Sequence, residues 1–325
     1  MTKHNIISVS GGKDSTALLL LAIERQPENL QAVFADTGHE HAQTYEYIEY
    51  LKEKVFPIRT VRADFSVDIA RKREFVATKW REQGVPEEKV LRALATLVPT
   101  GNPFLDLCIW KGRFPSTKAR FCSEQLKRNP IIEQVQMPLL EQGDSIWSWQ
   151  GVRADESLAR RDLPELELVG SGAGAGELWN YRPILTWTAE DCFAMHRKHG
   201  IKHNPLYEQG MGRVGCMPCI HARKDELLAI AQRFPAEIER VAQWEAIVKD
   251  ASKRGTSTLL NASVKGLSNE EAEAVSNIHA MVEWSKTSRG RTNFDLFRGD
   301  DIEPSESCSS IYGLCESGWI PWKRP

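Results

Sequence analysis

Three stretches of this chain carry residue types at spacings that could do chemistry. The first is Ser10-Gly-Gly-Lys-Asp-Ser15, which follows the β-prone run Ile6, Ile7, Val9 and opens a helical pattern from Thr16. A strand, a glycine turn and a helix start in that order make an anion site, because free N–H groups and the positive dipole end face the turn. Gly11 and Gly12 allow positive φ and close approach of a ligand to the backbone, and Ser15 and Thr16 suit a helix start. Lys13 adds a point charge. The G-x-x-x-x-G-K-[ST] phosphate motif is absent, so this is a different phosphate loop. The second stretch runs from Arg113 to Pro130 and sets Cys122 among Arg113, Lys118, Arg120, Lys127 and Arg128. Cations lower a thiol pKa and attract anions. The third is Cys216-Met-Pro-Cys219, with Cys308 and Cys315 in the tail. Four thiolates suit an iron–sulfur cluster or tetrahedral zinc.

These residues need elements to position them. Leu30-Gln-Ala-Val-Phe-Ala-Asp-Thr-Gly38 reads as a second buried strand, followed by a helix with Tyr45, Ile48 and Leu51 on one side, and then a strand at Ile58–Val61. That alternation predicts parallel βαβ units. Ligands of such sheets sit beyond the carboxyl ends of the strands, so the loop and the Asp36-Thr37-Gly38 turn should meet around one nucleotide. Asp36 could instead cap a helix. A further strand, Asp144–Gln150, ends in Gly151-Val-Arg153 and continues to Arg161, again placing cations at a carboxyl end. Residues 66–98 read as a charged peripheral helical hairpin, either a solvated face or a docking surface. Residues 101–115 and 170–176 read as loops, the latter glycine-rich. Thr188 is the natural N-cap of a helix, with Asp191 three residues on. Cys192 lies inside that helix and reads as core. Residues 223–255 and 269–286 read as amphipathic helices, with a basic loop at 286–291.

The chain has 325 residues, 41% of them hydrophobic and 26% charged, with a net charge of −2. No global basic field therefore advertises nucleic acid. Neither a signal peptide nor a run of the ~18–20 apolar residues of a membrane span is present. The expected location is the cytoplasm, without membrane association, where cysteines stay reduced. Seven cysteines, an odd number, also argue against a disulfide framework.

The SGGKDS motif resembles the pyrophosphate loop (PP-loop) of enzymes that split ATP between its α and β phosphates. Further motifs extend the resemblance in order: Asp36-Thr-Gly38, Arg120-Phe-Cys122 with Lys127 and Pro130, Gly151-Val-Arg153 with Glu156-Ser157, Arg182-Pro183, Trp187-Thr188, Asn204-Pro-Leu-Tyr207 and Gly215-Cys-Met-Pro-Cys219. Together they are similar to the phosphoadenosine phosphosulfate (PAPS) reductase family of the PP-loop, adenine nucleotide α-hydrolase-like superfamily, closest to its DndC-like and phage-type branch. The resemblance covers residues 5–220. It implies an α/β fold, a Rossmann-like domain with a parallel sheet over 1–222, plus a mainly helical C-terminal region, 223–325, that returns its cysteine tail to the site.

The resemblance also implies roles. Ser10, Gly11, Gly12 and Ser15 would hold pyrophosphate, and Asp14 would help place Mg²⁺, with Lys13 alongside. Asp36, Thr37 and Gly151 would line the nucleotide pocket, while Arg120, Lys127, Arg153 and Arg161 would meet phosphates or the acceptor. Catalysis would fall to Lys13, Asp14 and Arg153. Relatives that reduce adenylyl sulfate hold a [4Fe–4S] cluster on a cysteine pair plus a later C-x-x-C. Here Cys122 stands beside Ser123, so Cys122, Cys216 and Cys219 lack a fourth ligand, which Cys315 or Cys308 would supply, with Cys108 a weaker candidate. Zinc is the alternative metal.

The intact loop favours ATP, and a chain that adenylates an acceptor for sulfur transfer. The acceptor would be a nucleic acid or a small molecule, and the sulfur donor a partner such as a cysteine desulfurase. The alternative is a PAPS or adenylyl-sulfate (APS) reductase with Cys315 as nucleophile and a thioredoxin-like reductant. A third reading is a non-catalytic nucleotide- and metal-binding subunit of a modification or defence complex.

Overall fold

Buried apolar strands that alternate with helices close most readily into a parallel sheet, because each crossover carries its helix onto a face. A computed structural model, describing residues 2–171, 176–260 and 266–287, shows this arrangement. Six strands, β1 (Lys3–Ser8), β2 (Leu30–Asp36), β3 (Ile58–Arg62), β4 (Ser145–Trp149), β5 (Leu166–Ser171) and β6 (Glu177–Tyr181), lie in the order β3-β2-β1-β4-β6-β5. β1 pairs in parallel with both β2 and β4. The connection leaves β1 to one side first and reaches β4 on the other side later, so the crevice between their carboxyl ends is the switch point of the sheet. The SGGKDS loop and the Gly151–Arg153 turn both emerge there.

One strand departs from the expected parallel sheet. β5 runs antiparallel to β6, with a register shift between Leu168 and Gly170. The connection between them is too short for the crossover that a parallel pair requires. Of the expected 170–176 loop, Gly170 and Ser171 are strand, and 172–175 lie outside the described residues.

Helix α1 (Lys13–Arg25) is buried over almost its whole circumference from Thr16 to Ala22. One side meets the sheet and another meets helix Ala189–Lys198, through Cys192 and Met195. Thr188 caps that helix, accepting from Asp191 N (3.2 Å) while Asp191 Oδ2 accepts from Thr188 N (2.7 Å). α2 (Ala42–Lys54) follows β2.

The 66–98 segment forms α3 (Ser66–Phe75), a π-helical turn at Val76–Trp80, and α4 (Glu87–Thr96). It is less solvated than its charge predicts. Ile69, Val76, Trp80, Val90 and Ala93 are buried in one apolar cluster with Val241, Trp244 and Val248 of helix Pro235–Ala251. The stretch 101–115 also differs from expectation, since it contains α5 (Pro103–Lys111). Asn102 caps α5 by accepting from Leu105 N, Pro103 stands in its first turn, and Gly112 ends it at φ +62°. Proline at a helix start and glycine just past its end are helix signals that composition alone reads as loop. No helix among the described residues is long and apolar enough to cross a membrane.

Candidate active site

Ser10, Gly11 and Gly12 form the turn from β1 into α1. Gly11 has φ +74°, and a Cβ there would lie 3.1 Å from Thr44 Cγ2, so a side chain would be both strained and crowded. Gly12 caps α1 without a side-chain hydrogen bond, leaving first-turn N–H groups directed at the turn. Ser15 Oγ accepts from Ser10 N (3.0 Å), lies 3.1 Å from Ser10 Oγ and donates to Gly12 O (3.1 Å). The loop is therefore pre-formed by its own serines.

Asp14 sits in the first turn of α1 and is 5% exposed. Lys13 Nζ approaches one carboxylate oxygen at 3.1 Å, and Arg153 Nε approaches the other at 2.7 Å. Arg153 is itself buried and reaches on to Asp155 Oδ2 at 2.7 Å. The Arg153–Asp14 contact is an ion pair without hydrogen-bond alignment, so Asp14 Oδ1 is buried and accepts no hydrogen bond. Gly151 lets this turn approach, since a Cβ there would stand 3.4 Å from Ser15 N.

The cysteines lie on the next opening along the sheet end. A cavity of about 50 Å³ is lined by Ser10, Thr37, Cys122, Lys127, Cys216 and Cys219, among others. Thr37 donates to Glu40 Oε2 (2.7 Å) and lies 3.9 Å from Cys216 Sγ. Glu40 and Cys216 pair as an isolated antiparallel bridge, and Met217 N donates to His39 O (2.9 Å). Burial pushes the Cys216 thiol up to about 12, with Lys127 opposing. Among the described residues, no group of three or more His, Cys, Asp or Glu side chains is arranged to hold a metal ion. Three thiols of the right type thus face one cavity without forming a coordination set, and no step is derived through a metal there. Cys308 and Cys315 lie outside the described residues.

A sequence profile described as the phosphoadenosine phosphosulfate reductase domain matches residues 4–222. The chain belongs to the phosphoadenosine phosphosulfate reductase family. It is 48% identical, over 96% of both chains, to an uncharacterized 37.8 kDa protein of Escherichia phage 186. It is 22% identical to the phosphoadenosine 5'-phosphosulfate reductase of Vibrio campbellii, covering 64% of this chain and 63% of that one. Among solved structures, the phosphoadenylyl-sulfate reductase of Candida auris aligns at 16% identity and a TM-score of 0.38, over 66% of this chain and 81% of that one.

Other family motifs take roles that their residue types do not announce. Asp36 accepts from Gly38 N (2.8 Å) and Tyr45 Oη (2.8 Å) and pairs with Arg62 Nε (3.4 Å), so it braces its own turn. It does not cap α2, which His41 does. Arg161 is exposed, whereas its neighbour Arg160 is buried against Glu156. Arg120 Nε donates to Thr117 O (3.0 Å) within its own turn. Cys108 is fully buried in the core, and burial raises its thiol well above the ordinary value. Arg182 is 3% exposed and is spent on Gln150 Oε1 (2.8 Å), Pro164 O (2.8 Å) and Glu167 (2.6 Å), which pins the β5–β6 hairpin.

The Asn204–Tyr207 motif proves to be the outer clamp of the loop. Tyr207 Oη accepts from Lys13 N (3.0 Å), and Asn204 Nδ2 donates to Gly11 O (3.3 Å). His196 Nε2 lies 3.0 Å from Lys13 O. The motif was visible in the sequence, but its task was not, because a tyrosine hydroxyl meeting a helix N-terminus about 190 residues away in sequence is a purely tertiary contact.

Proposed function

We propose that this chain binds ATP at the SGGKDS loop and cleaves it between the α and β phosphates, adenylating an acceptor destined for sulfur transfer. An acceptor oxygen bonds to the α-phosphorus, the bond from that phosphorus to the bridging oxygen breaks, and pyrophosphate leaves with the electron pair. The acceptor's proton passes to solvent. The observation that carries the reading is Asp14, buried between Lys13 and Arg153 at the start of α1, whose N-cap Gly12 brings no side chain of its own. Lys13 and the first-turn N–H groups are placed to meet charge on the departing pyrophosphate, and losing one such donor typically costs 10²–10³-fold in rate.

Asp14 fits Mg²⁺ by donor type, being a hard carboxylate, and the ion would share its oxygens with Arg153 and Lys13, which already face them. The ion would supply neutralising charge on the phosphates. Arg153 holds the Asp14 carboxylate in place and Lys13 remains on the phosphate side.

The test is formation of AMP and pyrophosphate from ATP and Mg²⁺ by the full chain, with and without Asp14→Ala. No AMP under any condition overturns the proposal. A second reading, reduction of PAPS or adenylyl sulfate, is favoured by the Vibrio campbellii relative. Sulfite release from either nucleotide with a dithiol reductant, and no use of ATP, would establish it. An iron–sulfur or zinc centre would need Cys122, Cys216 and Cys219 to draw together, with Cys315 or Cys308 as fourth ligand in the first reading and Cys308 in the second, where Cys315 is the nucleophile. Anaerobically purified protein that is brown, and bleached by Cys216→Ala, supports the cluster. Colourless protein with bound zinc supports the alternative, and metal-free protein removes the centre.

A further inference from the structure

A second opening lies away from the loop, between α3, the C-terminal end of α5 and the end of helix Pro235–Ala251 with the segment after it. Its volume is about 600 Å³. Five cations line it: Lys72, Lys111, Arg113, Lys253 and Arg254. Among the described residues none of the five forms an ion pair, whereas Lys79, Arg81, Arg92, Arg128 and Lys249 of the helical region do. The acid in the lining, Glu273, is already held by Lys249 at 2.9 Å. Lys111 also feels Asp68 and Glu124, but Glu124 is tied to Arg128 at 2.7 Å. Lys72 shows that the cations face one another, because burial first, and then Lys111 and Lys253, hold its ammonium below the ordinary value. Like charges around one concave surface, offset here in part by Asp68 beside Lys111, cost folding free energy unless an anion binds there.

The lining is aromatic as well as basic. Phe75 is 44% exposed at the cleft, with Lys72 Nζ 5.3 Å from its ring centroid. A basic groove with an exposed ring is the chemistry that binds single-stranded nucleic acid, in which cations track phosphates and the ring stacks on a base. A small inorganic anion would use the cations and ignore Phe75. We propose that this cleft binds a single strand of nucleic acid across Lys72, Lys111, Arg113, Lys253 and Arg254, with a base stacked on Phe75. The chain's net charge of −2 does not disclose the site, because acids elsewhere in the chain balance its cations. The inference stands apart from the nucleotide chemistry at the loop and is tested without it.

The experiment is fluorescence anisotropy of a labelled 20-nucleotide strand, DNA and RNA arms of one sequence, titrated with the full chain at 50 and 200 mM KCl. If about five phosphates are engaged, affinity should fall about a hundredfold between those salts. The triple variant Lys111→Gln/Arg113→Gln/Arg254→Gln should bind at least tenfold more weakly at 50 mM. With about two contacts left, it should lose under about tenfold across the same salt step. Phe75→Ala should weaken binding about tenfold through lost stacking. These residues are half-exposed or exposed, so unchanged thermal melting serves as the control for folding. Binding in either arm supports the inference, and the preferred arm names the sugar. No binding at 50 mM, an unaffected triple variant, an unaffected Phe75→Ala, or displacement of the strand by millimolar pyrophosphate would each overturn it.

Discussion

Two buried carboxylates of this molecule, one in the sheet domain and one in the helical region, are held in opposite ways. Asp14, at the start of α1, lies between two cations, Lys13 and Arg153. Glu245, in helix Pro235–Ala251, is 7% exposed and is held by two backbone donors: Leu259 N gives to Oε1 (2.9 Å) and Ile278 N to Oε2 (3.0 Å). Burial pushes the Glu245 carboxyl up to about 7, against the pull of those two N–H groups. The first arrangement keeps a charge where phosphate chemistry would use it. The second uses a carboxyl as a clip that ties the segment around Leu259 and helix Ile278–Ser285 to helix Pro235–Ala251. Ion pairs hold the carboxylate at the candidate site, and backbone bonds hold the one in the helical region.

The largest effect that could break this contrast is on turnover. Asp14→Ala should lower AMP formation from ATP at least about a hundredfold while leaving the sheet folded. Near-normal turnover in that variant would make Asp14 a structural acid like Glu245. Next is Arg153→Met, which leaves Asp14 buried with one cation. Removing one member of a buried pair typically costs about 3–5 kcal/mol, read as a lower urea midpoint. A loss under about 1 kcal/mol would mean the pair is solvated in solution.

Glu245 supplies the pH test. Its folded pKa lies above the unfolded value, so below pH 4.5 both states are protonated and no penalty applies. As pH rises from 4.5 to about 7 the unfolded state releases its proton first, stability falls, and the loss levels off above 7. The full swing is about 3 kcal/mol. Urea midpoints of the wild type at pH 5 and pH 8, minus those of Glu245→Gln, should show it. Gln keeps one acceptor and turns an amide N–H₂ toward the second backbone donor, so that variant should also be about 1–3 kcal/mol less stable at pH 5. Equal pH slopes in the two proteins would show that the backbone bonds keep Glu245 ionised.

The same contrast governs what could be read in advance. The SGGKDS loop, the strands that flank it and the Thr188 cap are local, so their spacing disclosed them. The Asp14–Arg153 pair joins two strand ends that the sheet order brings together, and the motif order anticipated that neighbourhood without the contact. The helical region was less legible. Its hairpin reads as solvated because Lys and Arg outnumber the buried Ile69, Val76, Trp80 and Val90, and the face those residues form has meaning only against Val241 and Val248. Asp36 is ambiguous for the reverse reason, since a carboxylate after a buried strand can serve a ligand, a helix cap or its own turn, and its contacts with Tyr45 and Arg62 show the bracing of the turn that the sequence did not announce. A glycine after α5 and a proline within its first turn were read as a loop for want of the Asn102 cap.

The smallest effect sharpens the contrast most. Tyr207 Oη accepts the Lys13 N–H, which in a phosphate loop is a candidate donor to the ligand itself. Tyr207→Phe removes that acceptor while keeping the ring, which Phe193 meets edge-on at 5.5 Å. The apo protein should lose about 1 kcal/mol, the net value of one such bond. If Lys13 N–H is held in reserve for phosphate, saturating ATP or pyrophosphate should restore most of that loss, because the freed donor finds an anion. If the tyrosine is scaffold alone, the loss should be the same with and without ligand. Thermal melts of both proteins, with and without pyrophosphate, separate the two cases, and only the first makes the Asn204–Tyr207 clamp part of the phosphate site.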